Sequence, residues 1–321
     1  MTLTTTERRA DFPLMMQATD TLLATQPAFR SLAETLAAKD ATYWQNGEAR
    51  CREILHLCGN DEGRFREAVG EWLKFSMEYL KKQRQFERTG EYACTDFAEV
   101  ERDVYANTDV MRHSYLMALL FSFIFSPNYA AIFAFFQAEF LPRLAAARTV
   151  CDVGCGHGVY LTQMLLSQPG VVGTGLDISP GSLQTTRELI DLYQLPAQRV
   201  HLALGDLHGT LPVATASQDA VCCFEVIEHL AGPEHALSEL RRILAPGGIL
   251  CLSTAIRMES VDHLHLFLHP DEVRAMVTAA GFEVLQDACI PLSREDASDP
   301  ATLARLIDDP ATPLGYVMLG R

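Results

Sequence analysis

The chain has no CxxC pair, no extended basic patch, no internal repeat and no unbroken apolar segment of membrane-spanning length. Each absence closes off a class of protein. Nine cysteines are present, an odd number, and Cys151, Cys222, Cys223 and Cys251 lie inside apolar runs, where Cys behaves as a small buried hydrophobe. That excludes a disulfide framework and points to a reducing, cytoplasmic setting. Lysine and arginine number 26 against 41 acids, a formal charge of −15. Such a surface repels phosphate backbones, and the nearest basic cluster, KKQR (Lys81 to Arg84), is flanked by Glu78 and Glu87. Nucleic acid is therefore not an expected partner. The start, MTLTTTERRADF, has no apolar core behind a basic segment, so no signal peptide is expected. The longest apolar stretch, Ser114 to Leu141, is interrupted by Ser126, Pro127 and Asn128 and carries Gln137 and Glu139. It reads as a buried helical hairpin, and no membrane partner is expected.

What is present divides the 321 residues in two. Residues 1–147 read as an all-helical domain, rich in Ala, Leu, Glu, Lys and Arg with few β-branched runs. Glu67 to Arg88 carries Val69, Trp72, Leu73, Phe75, Met77 and Leu80 in a broad apolar stripe. Asn107, Thr108 and Asp109 offer a helix N-cap. From Arg148 to residue 321, short apolar runs alternate with amphipathic stretches. Strands are expected at 149–153, 171–178, 199–204, 219–226 and 247–254, with helices at 159–167, 180–194, 233–244 and 269–281. That alternation implies an α/β domain with a mostly parallel, doubly wound sheet. The segments 282–290 and 315–320 lack a clear crossover helix between them and suit an antiparallel pair at one side.

The first strand ends in DVGCGHG, placing Gly154, Gly156 and Gly158 before a helix. Glycines there let backbone N–H groups approach a ligand at the helix N-terminus. The dinucleotide pattern GxGxxG is broken by Val159, which disfavours NAD or FAD and suits another nucleoside ligand. Asp177, ending the second strand, can accept hydrogen bonds from ribose hydroxyls, and Asp206 after the third can accept from an adenine amine. Asp152, Gly154, Asp177, Asp206 and Glu225 all fall at the carboxyl ends of strands, where ligands bind in open α/β sheets. As isolated features they are also ordinary turn residues and caps.

Taken in order, DVGCGHG, LDIS, GDL, FEVIEHL and LAPGGIL resemble the successive motifs of class I S-adenosylmethionine (SAM) dependent methyltransferases, over Arg148 to Ile290. The resemblance implies a Rossmann-like seven-stranded sheet of order 3-2-1-4-5-7-6 with the last strand antiparallel. It further implies that Asp152 and the glycine loop, with Gly154 and Gly156, hold the methionine end of SAM. Asp177 would hold the ribose, Ile178 and Leu207 would flank adenine, Asp206 would reach its amine, and Glu225 would line the cofactor cleft. The helical domain lies outside the resemblance and is expected to cap the acceptor pocket or to form a homodimer surface.

Methyl transfer needs alignment of the acceptor and, for many acceptors, removal of a proton. Among ten histidines, His229 follows the fourth strand and His265 the fifth, and these two are the expected base or orienting residues. His157 is expected to pack near SAM. If the chain turned helical after Val226, then Glu225, Glu228 and His229 would share a face, with His263 or His265 completing a divalent-metal site. FEVIEHL here resembles the EVIEH of metal-dependent small-RNA 2′-O-methyltransferases and of quinone-biosynthesis O-methyltransferases. The favoured expectation is a metal-free enzyme that methylates a small molecule of secondary metabolism. The alternatives are cleavage or cyclisation of SAM itself, a metal-dependent O-methyltransferase, and a non-catalytic SAM-binding scaffold.

Overall fold

A computed structural model of the chain describes residues 4–90, 98, 101–260, 262–293 and 295–321. The first three residues of the N-terminal stretch, Cys94 and Val261 thus lie outside the described residues. Seven strands form one sheet: β1 (Thr149–Val153), β2 (Val172–Asp177), β3 (Val200–Leu204), β4 (Gln218–Phe224), β5 (Leu244–Ile256), β6 (Val284–Pro291) and β7 (Leu314–Gly320). Their order is β3-β2-β1-β4-β5-β7-β6. The first five run parallel, whereas β7 is antiparallel to both β5 and β6. This is the doubly wound, Rossmann-like methyltransferase sheet that the motif order implies.

The N-terminal helices are α1 (Thr5–Asp11), α2 (Pro13–Thr25), α3 (Arg30–Ala37), α4 (Ala41–Leu57) and α5 (Glu62–Thr89). Their ends follow local chemistry. Asp40 caps α4 by accepting from the Tyr43 N–H, Asp61 caps α5 by accepting from Gly63 and Arg64, and Gly90 stops α5 at φ 71°. Asn107 caps α6 (Thr108–Phe125) through the Val110 N–H, as its sequence position suggested.

The expected helical hairpin at 114–141 is instead a corner. Ser126 is extended, Pro127 opens α7 (Pro127–Ala146), and the two helices meet at 81°. A single extended residue before a proline redirects the chain but cannot reverse it. Phe121, Phe125, Phe133, Phe136 and Phe140 are buried in this corner. No single helix among the described residues is long and apolar enough to cross a membrane.

Between the strands lie α8 (Val159–Ser167), α9 (Pro180–Leu192), α10 (Pro233–Ile243), α11 (Pro270–Ala279) and α12 (Pro300–Asp308). Strand alternation sorts the side chains between two apolar clusters. Val150, Ala220 and Cys222 face α8, α9 and the N-terminal helices in a cluster that runs back through Trp72, Phe65 and Met15. Cys151, Val221 and Cys223 face α10 and α11. The cap and one face of the sheet thus share a continuous core, which holds the cap rigidly over the strand ends.

At the opposite end of the sheet, Asp219 ties β4 to β1. Its Oδ2 accepts from the Arg148 N–H at 2.7 Å and the Thr149 N–H at 3.0 Å. Burial opposes its charge, but these N–H donors outweigh it and hold the carboxyl below its ordinary range. A depressed pKa contributes stability above the unfolded value and loses it as pH falls through the folded one. Asp219→Ala should cost about 1–2 kcal/mol at neutral pH, read by urea unfolding, with the gap from wild type narrowing in acid.

Candidate active site

The loop after β1 makes a tight turn for which glycine is required. Gly154 has φ 76° and Gly158 φ 77°. A Cβ on Gly154 would fall 2.4 Å from a Val226 methyl, and one on Gly158 2.8 Å from the Thr186 side chain. The turn is pinned by Gly154 and Cys155, whose N–H groups donate to the Leu176 carbonyl, and by Gly156, whose N–H donates to Asp177 Oδ2 at 2.8 Å. Asp177 Oδ1 accepts from Ser179 at 2.8 Å. Burial raises the Asp177 pKa against these bonds.

Gly154, Gly156, Asp177, Ile178, Asp206, Leu207 and Glu225 all line one cleft at the carboxyl ends of the strands. Ile178 and Leu207 follow β2 and β3, which are neighbours in the sheet, and both face the cleft. Asp206 sits at the rim, its side chain half exposed and its Oδ1 taking the His208 N–H. Asp152 does not belong to this lining. It is 1% exposed, its Oδ2 accepts from the Leu161 N–H and its Oδ1 from the Cys222 thiol. Alternation along β1 turns it with Val150 toward α8, so it braces the loop from below. Burial pushes its carboxyl up to about 7.

His157 lines the cleft but does not titrate near neutrality: burial, with a smaller push from Arg50, drives it down to about 3. Its Nδ1 accepts from the Val159 N–H, and its ring meets Phe123 edge-on with centroids 5.2 Å apart.

The FEVIEHL segment does not form an α-helix. Glu225 takes φ 52°, a strained conformation for a non-glycine residue, and only a single 3-10 turn follows at Ile227–His229. Glu225 Oε1 accepts from Ser253 Oγ at 2.7 Å. Burial and the neighbouring Glu228 charge push it up to about 8. The face shared by Glu225, Glu228 and His229 in a helix is therefore lost. Glu228 is fully buried, with Oε2 accepting from Thr254 at 2.8 Å and Oε1 without a hydrogen-bond partner.

His229 lies on the cleft wall. Its Nδ1 donates to the Asp262 carbonyl at 2.9 Å and stands 3.4 Å from Asp262 Oδ2, which leaves Nε2 for the cleft. Burial disfavours the imidazolium, but Asp262 and Glu228 outweigh it and raise the His229 pKa. Asp262, 1% exposed, is in turn held by three hydroxyls: Tyr115 at 2.5 Å and Tyr105 at 3.0 Å on Oδ2, and Ser260 at 2.9 Å on Oδ1. Burial works against its charge, yet His229, His263 and these hydroxyls bring it down to about 2.

His265 is not part of the lining. Its ring packs on Phe267, centroids 4.4 Å apart, and its backbone N–H donates to the Glu228 carbonyl. The irregular loop after β5 turns His263 inward in its place. His263 is buried, donates Nδ1 to the Met258 carbonyl at 2.7 Å, and lies 4.9 Å from the His229 ring. Donor atoms of Glu228, His229 and His263 lie within 4.8 Å of one another. Two imidazoles fixed through Nδ1 to carbonyls, with an orphaned carboxylate oxygen between them, fit a divalent cation. Neither Glu225 nor His265 belongs to that set.

The cap closes the cleft with Phe75, Tyr105, Tyr115, Leu119, Phe123 and Tyr129. Asp262, Tyr105 and Tyr115 were not singled out in the sequence. The only local hint is an Asp beside the paired histidines of VDHLHLFLHP. The cleft opens to solvent at its mouth and is lined from both the strand ends and the cap.

A family model described as a methyltransferase domain matches residues 151–250. The chain is 33% identical over 123 residues to the ubiquinone biosynthesis O-methyltransferase of Chromobacterium violaceum, covering 38% of this chain and 51% of that protein. It is 32% identical over 148 residues to a probable S-adenosylmethionine-dependent methyltransferase of Mycolicibacterium smegmatis, covering 46% and 54%. The chain thus spans about half the length of these curated relatives. The mitomycin 7-O-methyltransferase MmcR shares the fold, with a TM-score of 0.51, 17% identity, and coverage of 79% of this chain and 70% of that one. Replacing Gly154 with Ala should weaken S-adenosylhomocysteine binding by at least tenfold in calorimetry, because the Cβ cannot fit against Val226. The same loss should follow Asp177→Ala, whereas His265→Ala should leave the affinity unchanged.

Proposed function

Since the chain carries a class I SAM-dependent methyltransferase domain, we propose that it transfers the methyl group to a hydroxyl oxygen of a small-molecule acceptor, with His229 as the base. The observation that supports this most is the Asp262–His229 arrangement. Its geometry fixes the imidazole tautomer with Nδ1–H on the Asp262 carbonyl and presents the Nε2 lone pair to the cleft, beneath the aromatic side chains of the cap. Bound SAM supplies a methyl carbon activated by its sulfonium. The acceptor oxygen forms the new C–O bond as the C–S bond breaks, and its proton passes to His229 Nε2. The Asp262 carboxylate, held by Tyr105, Tyr115 and Ser260, stabilises the imidazolium that results. In this reading Gly154, Gly156, Asp177, Ile178, Asp206, Leu207 and Glu225 form the cofactor side.

The acidic composition and the acid-lined cleft support a small acceptor over nucleic acid. The eight described cysteines are all unpaired, which supports a reducing, cytoplasmic location. His229→Ala should lower kcat by about 10²–10⁴-fold while S-adenosylhomocysteine affinity changes by no more than a few-fold. Loss of cofactor affinity in parallel with kcat would instead assign His229 to cofactor binding.

The unpartnered Glu228 Oε1 favours a second reading, in which Glu228, His229 and His263 hold a divalent cation. A cation there would acidify an acceptor hydroxyl. Metal analysis of purified protein should then find one equivalent that disappears in His263→Ala. Full activity after exhaustive chelation, with no metal in the wild-type protein, would dismiss this reading.

A further inference from the structure

The KKQR segment of α5 is not uniformly solvated. Lys81 and Arg84 are exposed, whereas Gln83 between them is 6% exposed. A buried side-chain amide needs partners for both its polar ends. Gln83 finds both on the loop after β5. Its Nε2 donates to the Arg257 carbonyl at 3.1 Å, and its Oε1 accepts from the Glu259 N–H at 2.9 Å. A residue in a parallel strand bonds its partner in the same way, to the carbonyl on one side and the N–H on the other. The amide of one side chain here replaces a neighbouring strand.

The backbone it holds has just left the sheet. β5 ends at Ile256, which pairs with Leu314 of β7. Arg257 then takes φ 54°, a left-handed conformation that a non-glycine residue keeps only when its surroundings enforce it. Its N–H donates to the Phe267 carbonyl, and its buried guanidinium donates to the carbonyls of Thr312, Leu268 and Ile307. Those bonds hold the turn from the sheet side, and Gln83 holds it from the cap.

The residue bracketed by the two amide bonds is Met258. Its carbonyl belongs to the same planar peptide as the Glu259 N–H and points the opposite way, so fixing that N–H aims the carbonyl. The Met258 carbonyl accepts from His263 Nδ1 at 2.7 Å. A carbonyl can only accept, so this bond requires the Nδ1-protonated ring. The His263 ring lies 4.9 Å from that of His229, on the wall of the cleft. Phe75, which also lines the cleft, lies eight residues before Gln83 on α5. The helix that supplies an aromatic wall therefore also reaches the backbone behind the two imidazoles.

Resting on the methyltransferase reading above, we propose that Gln83 is a positioning residue of the reaction centre: by holding the Met258–Glu259 peptide it fixes the tautomer and direction of His263 beside His229. It touches neither the cleft nor any reacting atom, and it acts through one peptide plane.

The test reads that tautomer directly. Metal-stripped protein labelled with 15N-histidine and saturated with S-adenosylhomocysteine is studied at pH 8 by long-range 1H–15N correlation. Wild-type His263 should show the Nδ1-protonated pattern. Gln83→Met keeps the bulk and removes both bonds, and His263 should then lose that pattern for the tautomer mixture of a free imidazole. Gln83→Ala, which leaves space for water on the two freed backbone groups, should do the same and covers the case in which the Met variant does not fold. Gln83→Glu retains an oxygen for the Glu259 N–H and should retain the pattern. Asp219→Ala, destabilised at the far end of the sheet, should retain it as well. S-adenosylhomocysteine affinity should change by no more than a few-fold in all of these variants. An unaltered His263 pattern in Gln83→Met or Gln83→Ala overturns the proposal, as does its loss in Asp219→Ala. The spectra require neither acceptor nor turnover. Absence of methyl transfer by the wild-type protein would therefore remove the underlying reading and leave the result on Gln83 standing.

Discussion

The parallel pairing of β1 with β4 is the constraint on which the site depends. Val150, Cys151 and Asp152 lie beside Ala220, Val221 and Cys222, in the middle of the sheet. From there the chain leaves β1 toward α8 on one face and β4 toward α10 on the other. Backbone cannot fill the gap between two connections that diverge, so a crevice opens at this point of the sheet. The glycine loop borders one side and the FEVIEHL segment the other, and they touch where Gly154 meets Val226. Everything placed around the cleft, including the strained Glu225 and the cap, is built outward from that crevice.

The cap gives the crevice its chemical character. Apolar packing continuous with the sheet's core brings α5 and α6 across the strand ends. Two tyrosines then reach a single buried carboxylate. Asp262 is an unusual residue to bury, and it is tolerated because hydroxyls and an imidazole meet its charge from several directions. One residue thereby joins the cap, the loop after β5 and the imidazole on the β4 side. Loosening the cap in this region would disturb the orientation of His229 as well as the shape of the pocket.

Much of this was legible in the sequence. The alternation after Arg148 carried the mostly parallel sheet, the glycine spacing and strand-end acids marked its ligand edge, and the resemblance of the ordered motifs implied the strand order and the rest of the cleft lining. These features depend on local periodicity and on motif order, which a linear reading preserves. Four residues escaped it for physical reasons. Asp152 was expected to face the ligand, but alternation along β1 turns it under α8, where Leu161 and Cys222 satisfy it. His263 and His265, two apart, would share a face in an extended strand; the loop there is irregular, and only His263 points inward. Asp262 acquires its partners from Tyr105 and Tyr115, far away in the chain, through contacts that no spacing rule encodes.

The position of β7 between β5 and β6 bears on how the molecule folds. Leu250 on β5 pairs with Gly320, and the intervening chain contains α11, β6 and α12. Until β7 arrives, the outer edge of β5 is an apolar strand with open N–H and C=O groups. Closing so long a loop is entropically slow relative to the neighbouring parallel units. An intermediate lacking β7 would expose a ready template for strand addition by another chain. The segment that completes the sheet therefore also covers the long apolar edge of β5, which strand addition by another chain would otherwise find open.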